Sequence, residues 1–77
     1  MKPIKYVMLG RCMPIIFEGM NHDELKILGK QITSAGFITF DQDGKVCTYG
    51  ESLTLNMIPD KNDAELIQRL FDKAKAD

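Results

Sequence analysis

The segment from Ser34 to Pro59 constrains the fold most strongly, because an Asp-Gly turn separates two runs of β-forming residues within it. The first run is Phe37 to Phe40, the turn is Asp43-Gly44, and the second run is Lys45 to Tyr49. Glycine accepts the positive φ of a tight turn and aspartate tolerates it, so this pattern is a strong hairpin signal. The segment therefore predicts two antiparallel strands joined by a short loop.

The faces of this hairpin follow from the length of its loop. A loop of two or four residues pairs even-numbered with odd-numbered positions here, and side chains alternate between faces along each strand. The more apolar set is assigned to the core and consists of Ile38, Phe40, Cys47 and Tyr49. The other set is predicted to face outward and consists of Phe37, Thr39, Val46 and Thr48.

Residues 52–57 alternate between apolar and polar side chains, which favours a third strand after the hairpin. The alternating residues are Leu53, Leu55 and Met57 on one side and Ser52, Thr54 and Asn56 on the other. A period of two is typical of a half-buried strand rather than a helix. Gly50-Glu51 is interpreted as the turn before this strand, and Pro59 as its end, because proline has no N–H to donate.

The rest of the chain adds an N-terminal hairpin and two helices. Apolar runs at Ile4 to Leu9 and Met13 to Phe17 flank a Gly10-Arg11 turn. Each helix is predicted to begin near an asparagine, Asn21 or Asn62, that is followed three residues later by glutamate, as in a capping box. We therefore expect an α+β fold in the order ββαβββα, with an antiparallel sheet of about five strands and two helices packed on one face.

Length and composition indicate one small globular domain spanning residues 1–77. Of the 77 residues, 44% are hydrophobic and 27% are charged, which is ordinary for such a domain. The net charge of −1 gives no electrostatic attraction to nucleic acid or to an anionic membrane. No apolar run approaches the roughly 18–20 residues of a membrane span, and no signal-peptide pattern is present. The sequence therefore predicts a cytoplasmic protein with no membrane partner.

Cys12, Cys47 and His22 are the residues that could support thiol catalysis or metal binding. Thiol catalysis needs a thiolate within reach of a base, but Cys47 alternates into the predicted core and His22 lies at a helix start, where positive charge is disfavoured. The spacings typical of zinc ligands, Cys-x-x-Cys and His-x-x-x-His, are absent from the sequence. The two cysteines fit either free thiols or one disulfide. We predict no catalytic, cofactor-binding or metal-binding residue, no cofactor, and no enzymatic activity.

A small basic group near the N-terminus supports an alternative function. Lys2, Lys5 and Arg11 lie on or beside the first predicted hairpin, and Tyr6 lies among them, where an aromatic ring could stack on a base. A small nucleic-acid-binding protein is therefore the second hypothesis. Acidic residues elsewhere offset these charges, so we expect a protein partner rather than nucleic acid.

The predicted surplus of apolar side chains on the sheet favours self-association. Two helices on one face leave the other face uncovered, and Phe37 and Val46 are predicted to lie there. We therefore predict a non-enzymatic protein-interaction module that forms a homodimer. Its predicted interaction face consists of Phe37, Thr39, Val46 and Thr48, with Tyr49 and Glu51 at the following turn.

Three short motifs stand out in the C-terminal half of the sequence. They are Ser34-Ala35-Gly36-Phe37, Gly44-Lys45-Val46 and Tyr49-Gly50-Glu51-Ser52, and an acidic helix start follows them. This arrangement resembles a pattern in short uncharacterised proteins of bacteria and their phages. Such proteins have no assigned activity, so the resemblance implies no catalytic residue. It implies a small accessory protein of a phage or prophage that binds a protein of the host or the phage.

Overall fold

Four antiparallel strands form one sheet in the computed structural model, which describes residues 3–76. The strands are β1 (Ile4–Leu9), β2 (Met13–Phe17), β3 (Ile32–Phe40) and β4 (Val46–Tyr49). Two helices complete the fold, a 3-10 helix at His22–Gln31 and the α-helix α1 at Asp63–Ala76. The strand order is β2-β1-β3-β4, so β1 and β3 are central and β2 and β4 are edges. The predicted α+β class and the antiparallel sheet are confirmed.

The two helices lie on opposite faces of the sheet. On one face, Tyr6 belongs to a buried apolar cluster that includes Ile67 of α1. On the other face, Val7 and Ala35 belong to a second cluster, against which Leu25 of the 3-10 helix packs. Tyr6 and Val7 are successive residues of β1, and successive side chains of a strand point to opposite faces. The prediction that both helices pack on one face is therefore wrong, because the central strands are apolar on both sides and each side needs cover.

Residues 52–57 form a tight turn instead of the predicted third strand of the meander. Ser52 and Met57 exchange backbone hydrogen bonds of 2.8 and 3.1 Å, and Asn56 adopts a positive φ of 55°. Leu55 and Met57 pack against the second apolar cluster, whereas Leu53 projects into solvent. Residues 3–76 therefore contain four strands rather than about five. The elements follow one another as two strands, the 3-10 helix, two strands and α1, in place of the predicted ββαβββα order.

The segment after this turn runs beside the first half of β3. The Ala35 N–H donates a hydrogen bond of 3.4 Å to the Ile58 carbonyl oxygen. A Cβ atom on Gly36 would lie 2.7 Å from Pro59 Cγ and 3.0 Å from the Tyr49 carbonyl oxygen. The first distance is shorter than ordinary contacts between atoms, and the second is at their lower limit. Position 36 therefore requires glycine, which has no Cβ atom, for Pro59 and Tyr49 to lie this close to β3.

The β3–β4 hairpin has a different register from the predicted one. The paired residues are Phe37 with Tyr49, Ile38 with Thr48, Thr39 with Cys47 and Phe40 with Val46. The loop contains five residues, 41–45, so odd-numbered positions pair with odd and even with even. Val46 and Thr48 therefore lie on the α1 face, and Cys47 and Tyr49 lie on the opposite face. The prediction placed these four residues on the reverse faces and was wrong.

The first helix is irregular. It breaks at Gly29, whose φ of 55° and ψ of −127° are not helical. Asn21 precedes the helix in an extended conformation, but within residues 3–76 its side chain makes no capping hydrogen bond, so the predicted capping box is not formed there. Neither helix in the described part of the chain is long and apolar enough to cross a membrane.

Candidate functional site

The sheet face opposite α1 is covered over only part of its length. The 3-10 helix and the turn at residues 52–57 cover the part around Val7 and Ala35. The 3-10 helix and the turn leave the rest of this face uncovered, and we call the uncovered part the open sheet face. The open sheet face consists of Lys5, Phe37, Thr39, Cys47 and Tyr49.

Strand pairing fixes the orientation of the open sheet face. Phe37 of β3 is paired with Lys5 of β1 on one side and with Tyr49 of β4 on the other. Directly paired side chains of antiparallel strands share a face, and Thr39 with its partner Cys47 lies two positions further along the same face. Thr39 and Tyr49 are exposed, and the other three residues are half-buried.

A row of aromatic rings leads from the covered part of this face to the open sheet face. The rings of Phe17 and His22 meet edge to face with centroids 5.5 Å apart, and His22 meets Phe37 in the same way at 5.3 Å. Phe37 then stacks on Tyr49 at 5.5 Å with an interplanar angle of 29°. The row begins beside the buried His22 and ends at Tyr49, which is 47% exposed. The ring available to a partner is therefore packed against a continuous series of rings.

His22 has a structural position within this row. Its Nε2 lies 3.2 Å from the Tyr6 carbonyl oxygen and 3.0 Å from the Gly36 carbonyl oxygen. Both partners are acceptors, so Nε2 carries a proton and donates to them. The nitrogen that joins β1 to β3 in this way cannot also accept a proton from a thiol or bind a metal.

A cleft of about 290 Å³ borders the open sheet face. Lys5 and Phe37 line one part of it, and the start of the 3-10 helix lines another. Asp23 and Glu51 contribute negative charge, and Lys5 contributes positive charge. This mixture of one aromatic ring with both signs of charge suits a polypeptide surface better than a single highly charged ligand.

A second polar site is buried beneath α1. Asp63, the first residue of α1, is only 2% exposed, and its Oδ2 accepts three hydrogen bonds. The Tyr6 hydroxyl donates at 2.6 Å, the Ser34 hydroxyl at 2.7 Å and the Asp60 N–H at 2.8 Å. The sequence indicated Asp63 only as an acidic residue at a helix start. No local pattern identifies its partners, because Tyr6 and Ser34 are 57 and 29 residues away.

Alkaline pH is expected to destabilise the fold through Tyr6. Burial, followed by the hydrogen bond to Asp63, raises the pKa of the Tyr6 phenol far above its ordinary value of 10.0. Above about pH 10 the unfolded chain releases this proton while the folded chain retains it, so the free energy of unfolding falls by about 1.4 kcal/mol per pH unit. The urea midpoint measured at several pH values between about 9 and about 11 checks this. A Tyr6→Phe variant should show a clearly smaller fall, and an equal fall in both proteins would contradict the assignment.

The basic residues of the nucleic-acid hypothesis do not form a stacking surface. Tyr6 is completely buried and faces α1, so its ring cannot stack on a base. Lys5 points to the opposite face of the sheet, and Arg11 lies in the turn between β1 and β2. Lys2 lies outside the described residues. The predicted role of Tyr6 is therefore wrong.

The residues of the predicted interaction face lie on both faces of the sheet. Phe37, Thr39 and Tyr49 come together on the open sheet face, and Glu51 lines the neighbouring cleft. Val46 is buried on the α1 face, and Thr48 points to that same side. The faces predicted for Val46, Thr48 and Tyr49 were wrong, whereas the role of the whole set in binding stays a prediction.

Both cysteines are free thiols. Cys12 is exposed, and Cys47 is half-buried on the open sheet face, not in the predicted core. Among residues 3–76, the His, Cys, Asp and Glu side chains form no group of three that could hold a metal ion.

Comparisons with known proteins give no relative from which a function could be transferred. No family model matches the chain, and neither a curated protein nor a solved structure matches it significantly. Any functional conclusion therefore depends on the geometry described above.

Proposed function

We propose that this chain is a non-enzymatic protein-interaction module that associates with itself. The observation that carries the proposal is the exposed end of the aromatic row, where Tyr49 stacks on Phe37. Exposed aromatic side chains contribute strongly to protein interfaces, because they bury a large area and have few rotatable bonds to restrict. The open sheet face is accordingly the contact surface that we assign.

The surroundings of this surface support a protein partner. Thr39 and the cleft residues Lys5 and Glu51 provide a polar rim around the aromatic pair. A polar rim around an apolar centre is the usual composition of a protein interface. The C-terminal half resembles short proteins of bacteria and their phages. We therefore propose that the chain is an accessory protein of a phage or prophage, and that it also binds a protein of the host or the phage.

The nucleic-acid alternative is not retained as a second candidate. Its stacking residue, Tyr6, is buried, and the charge of the whole chain is −1. Nothing in the described structure favours binding to phosphate groups over binding to a polypeptide.

The molar mass in solution, measured by light scattering over a range of concentrations, tests the proposal. We expect the unmodified chain to form a dimer and Tyr49→Asp to weaken it by about 30-fold or more, because losing a central aromatic contact costs about 2 kcal/mol or more. Ile27→Asp is the matched control. Ile27 is 91% exposed on the 3-10 helix and belongs neither to the open sheet face nor to the cleft beside it, so its replacement should leave the dimer unchanged.

Two outcomes would contradict the proposal. An unmodified chain that remains a monomer at every concentration tested does not self-associate. Equal weakening by Tyr49→Asp and Ile27→Asp would show that the open sheet face has no special role.

A further inference from the structure

The outer edge of β4 is not paired with another strand of the described chain. β4 is an edge strand, and the Val46 N–H donates to Gln68 Oε1 of α1 at 2.7 Å rather than to β3. The N–H and C=O of successive residues point alternately to the two sides of an antiparallel strand. The backbone groups of Val46 and Thr48 therefore point outward, whereas those of Cys47 and Tyr49 point toward β3.

We propose that two copies of the chain pair through antiparallel β4 strands, with Cys47 opposite Cys47 on the two-fold axis. This inference rests on the proposed self-association and specifies how it occurs. In this register Val46 of each copy lies opposite Thr48 of the other, so all four outward N–H and C=O groups of each strand form hydrogen bonds. A register centred on Val46 would pair Thr48 with Gly44 in the loop, and one centred on Thr48 would pair Val46 with Gly50 after the strand. Only the register centred on Cys47 uses both outward residues within the strand.

The groove beside this edge is compatible with a second copy. A groove of about 430 Å³ runs between β4 and α1. It is lined by two basic residues, Lys45 and Arg69, and by acidic residues that include Glu65 and Asp72. A surface with both signs of charge can face its own copy across a two-fold axis without net repulsion.

The side chains on the open sheet face also fit this register. The pairing that places Cys47 opposite Cys47 also places Tyr49 opposite Lys45 of the second copy, the last loop residue before β4. The edge pairing therefore brings the exposed Tyr49 into the same interface.

Gln68 protects the edge in the single chain. Its Oε1 occupies the Val46 N–H and substitutes for the carbonyl group of an incoming strand. Edge strands commonly carry such protection, which limits unwanted pairing. The Gln68 side chain has to move aside when two copies pair, and its three rotatable bonds allow this.

Disulfide trapping tests the register directly. Cys47 would form a non-hydrogen-bonded pair with Cα atoms about 4.5 Å apart, which is within the range of a disulfide. Diamide oxidises two thiols to one disulfide and takes up the two hydrogens. We expect Cys12→Ser, which keeps Cys47, to yield a covalent dimer at least ten times faster than Cys47→Ser, which keeps Cys12. Random collision predicts the opposite, because Cys12 is the more exposed thiol.

A proline at the outward position gives a second, independent measurement. Thr48→Pro removes an N–H that points away from β3, and we expect it to weaken the dimer at least tenfold in light scattering. Thr48→Ala is the matched control, because it loses the same side-chain contacts but keeps the N–H, and it should dimerise like the unmodified chain. Circular dichroism shows whether each variant is folded, and if Thr48→Pro does not fold, the trapping result decides alone.

The outcomes separate this inference from the function on which it rests. A dimer whose Cys47 thiols cross-link no faster than Cys12 overturns the β4 register and leaves self-association standing. A folded Thr48→Pro variant that dimerises as well as Thr48→Ala also overturns the register. A chain that is monomeric at all concentrations overturns both.

Discussion

Replacing Asp63 with alanine is expected to remove a large part of the stability of this fold, about 3–5 kcal/mol. Its carboxylate accepts hydrogen bonds from the Tyr6 hydroxyl, the Ser34 hydroxyl and the Asp60 N–H. Each buried donor that loses its acceptor costs about 1–3 kcal/mol, while a chain of this length has a total stability of about 4–12 kcal/mol. Urea denaturation followed by circular dichroism measures the loss as a lower midpoint.

Two further variants identify the cause of that loss. Asp63→Asn keeps the shape and one acceptor oxygen, so it should be intermediate between the unmodified chain and Asp63→Ala. Asp72→Ala removes an exposed carboxylate from the same helix and should shift the stability by less than about 0.5 kcal/mol. If Asp63→Ala and Asp72→Ala had the same urea midpoint, the buried carboxylate would not stabilise the fold.

Replacing His22 with alanine is expected to cost about 2–4 kcal/mol, the second largest effect. The ring fills the space between Phe17 and Phe37, and its Nε2 donates to carbonyl groups of both central strands. Alanine leaves a cavity and removes the donor. The free energy of unfolding from urea denaturation measures the change.

The controls for His22 separate the ring from its proton. His22→Gln keeps an N–H donor but loses the ring, so it should recover part of the loss. Lys26→Ala changes an exposed residue of the same 3-10 helix and should have little effect. A His22→Ala variant as stable as Lys26→Ala would show that the ring is not needed to hold β1 and β3 together.

The sequence was sufficient to locate the β3–β4 hairpin but not its register. Asp43-Gly44 predicts a turn, and loops of two or four residues both fit that pattern. The loop is five residues long because the Asp41 carboxylate accepts hydrogen bonds from the N–H groups of Asp43 at 2.8 Å and Lys45 at 2.9 Å. A change of one residue in loop length moves every side chain of β4 to the other face, so half of the predicted interaction face moved with it.

Alternation at residues 52–57 misled the prediction for a different reason. A turn that packs one side against a core also alternates buried and exposed positions. Leu55 and Met57 meet the core while Thr54 and Asn56 are exposed, which a pattern with a period of two cannot distinguish from a strand, and only the exposed Leu53 departs from it. The asparagine at position 56 is the sequence signal for a turn, because asparagine tolerates the positive φ that Asn56 adopts.

The buried site under α1 lay outside what sequence patterns can show. Its members are polar residues from β1, β3 and the start of α1, and each has an ordinary local explanation. Only the packing of α1 across β1 brings them together. The open sheet face was partly predicted, since Phe37, Thr39 and Tyr49 were all among the proposed contact residues.

The hydrogen bond between Tyr6 and Asp63 has a consequence for how the chain loses its structure. It joins two residues that are 57 positions apart, one in the first strand and one in the last helix. If α1 detached, the Tyr6 and Ser34 hydroxyls would lose the Asp63 acceptor, and the apolar cluster that Tyr6 shares with Ile67 would be exposed to water, so the cost would extend beyond the helix itself. The helix and the central strands are therefore energetically linked, and they belong to the same cooperative unit of unfolding instead of fraying independently.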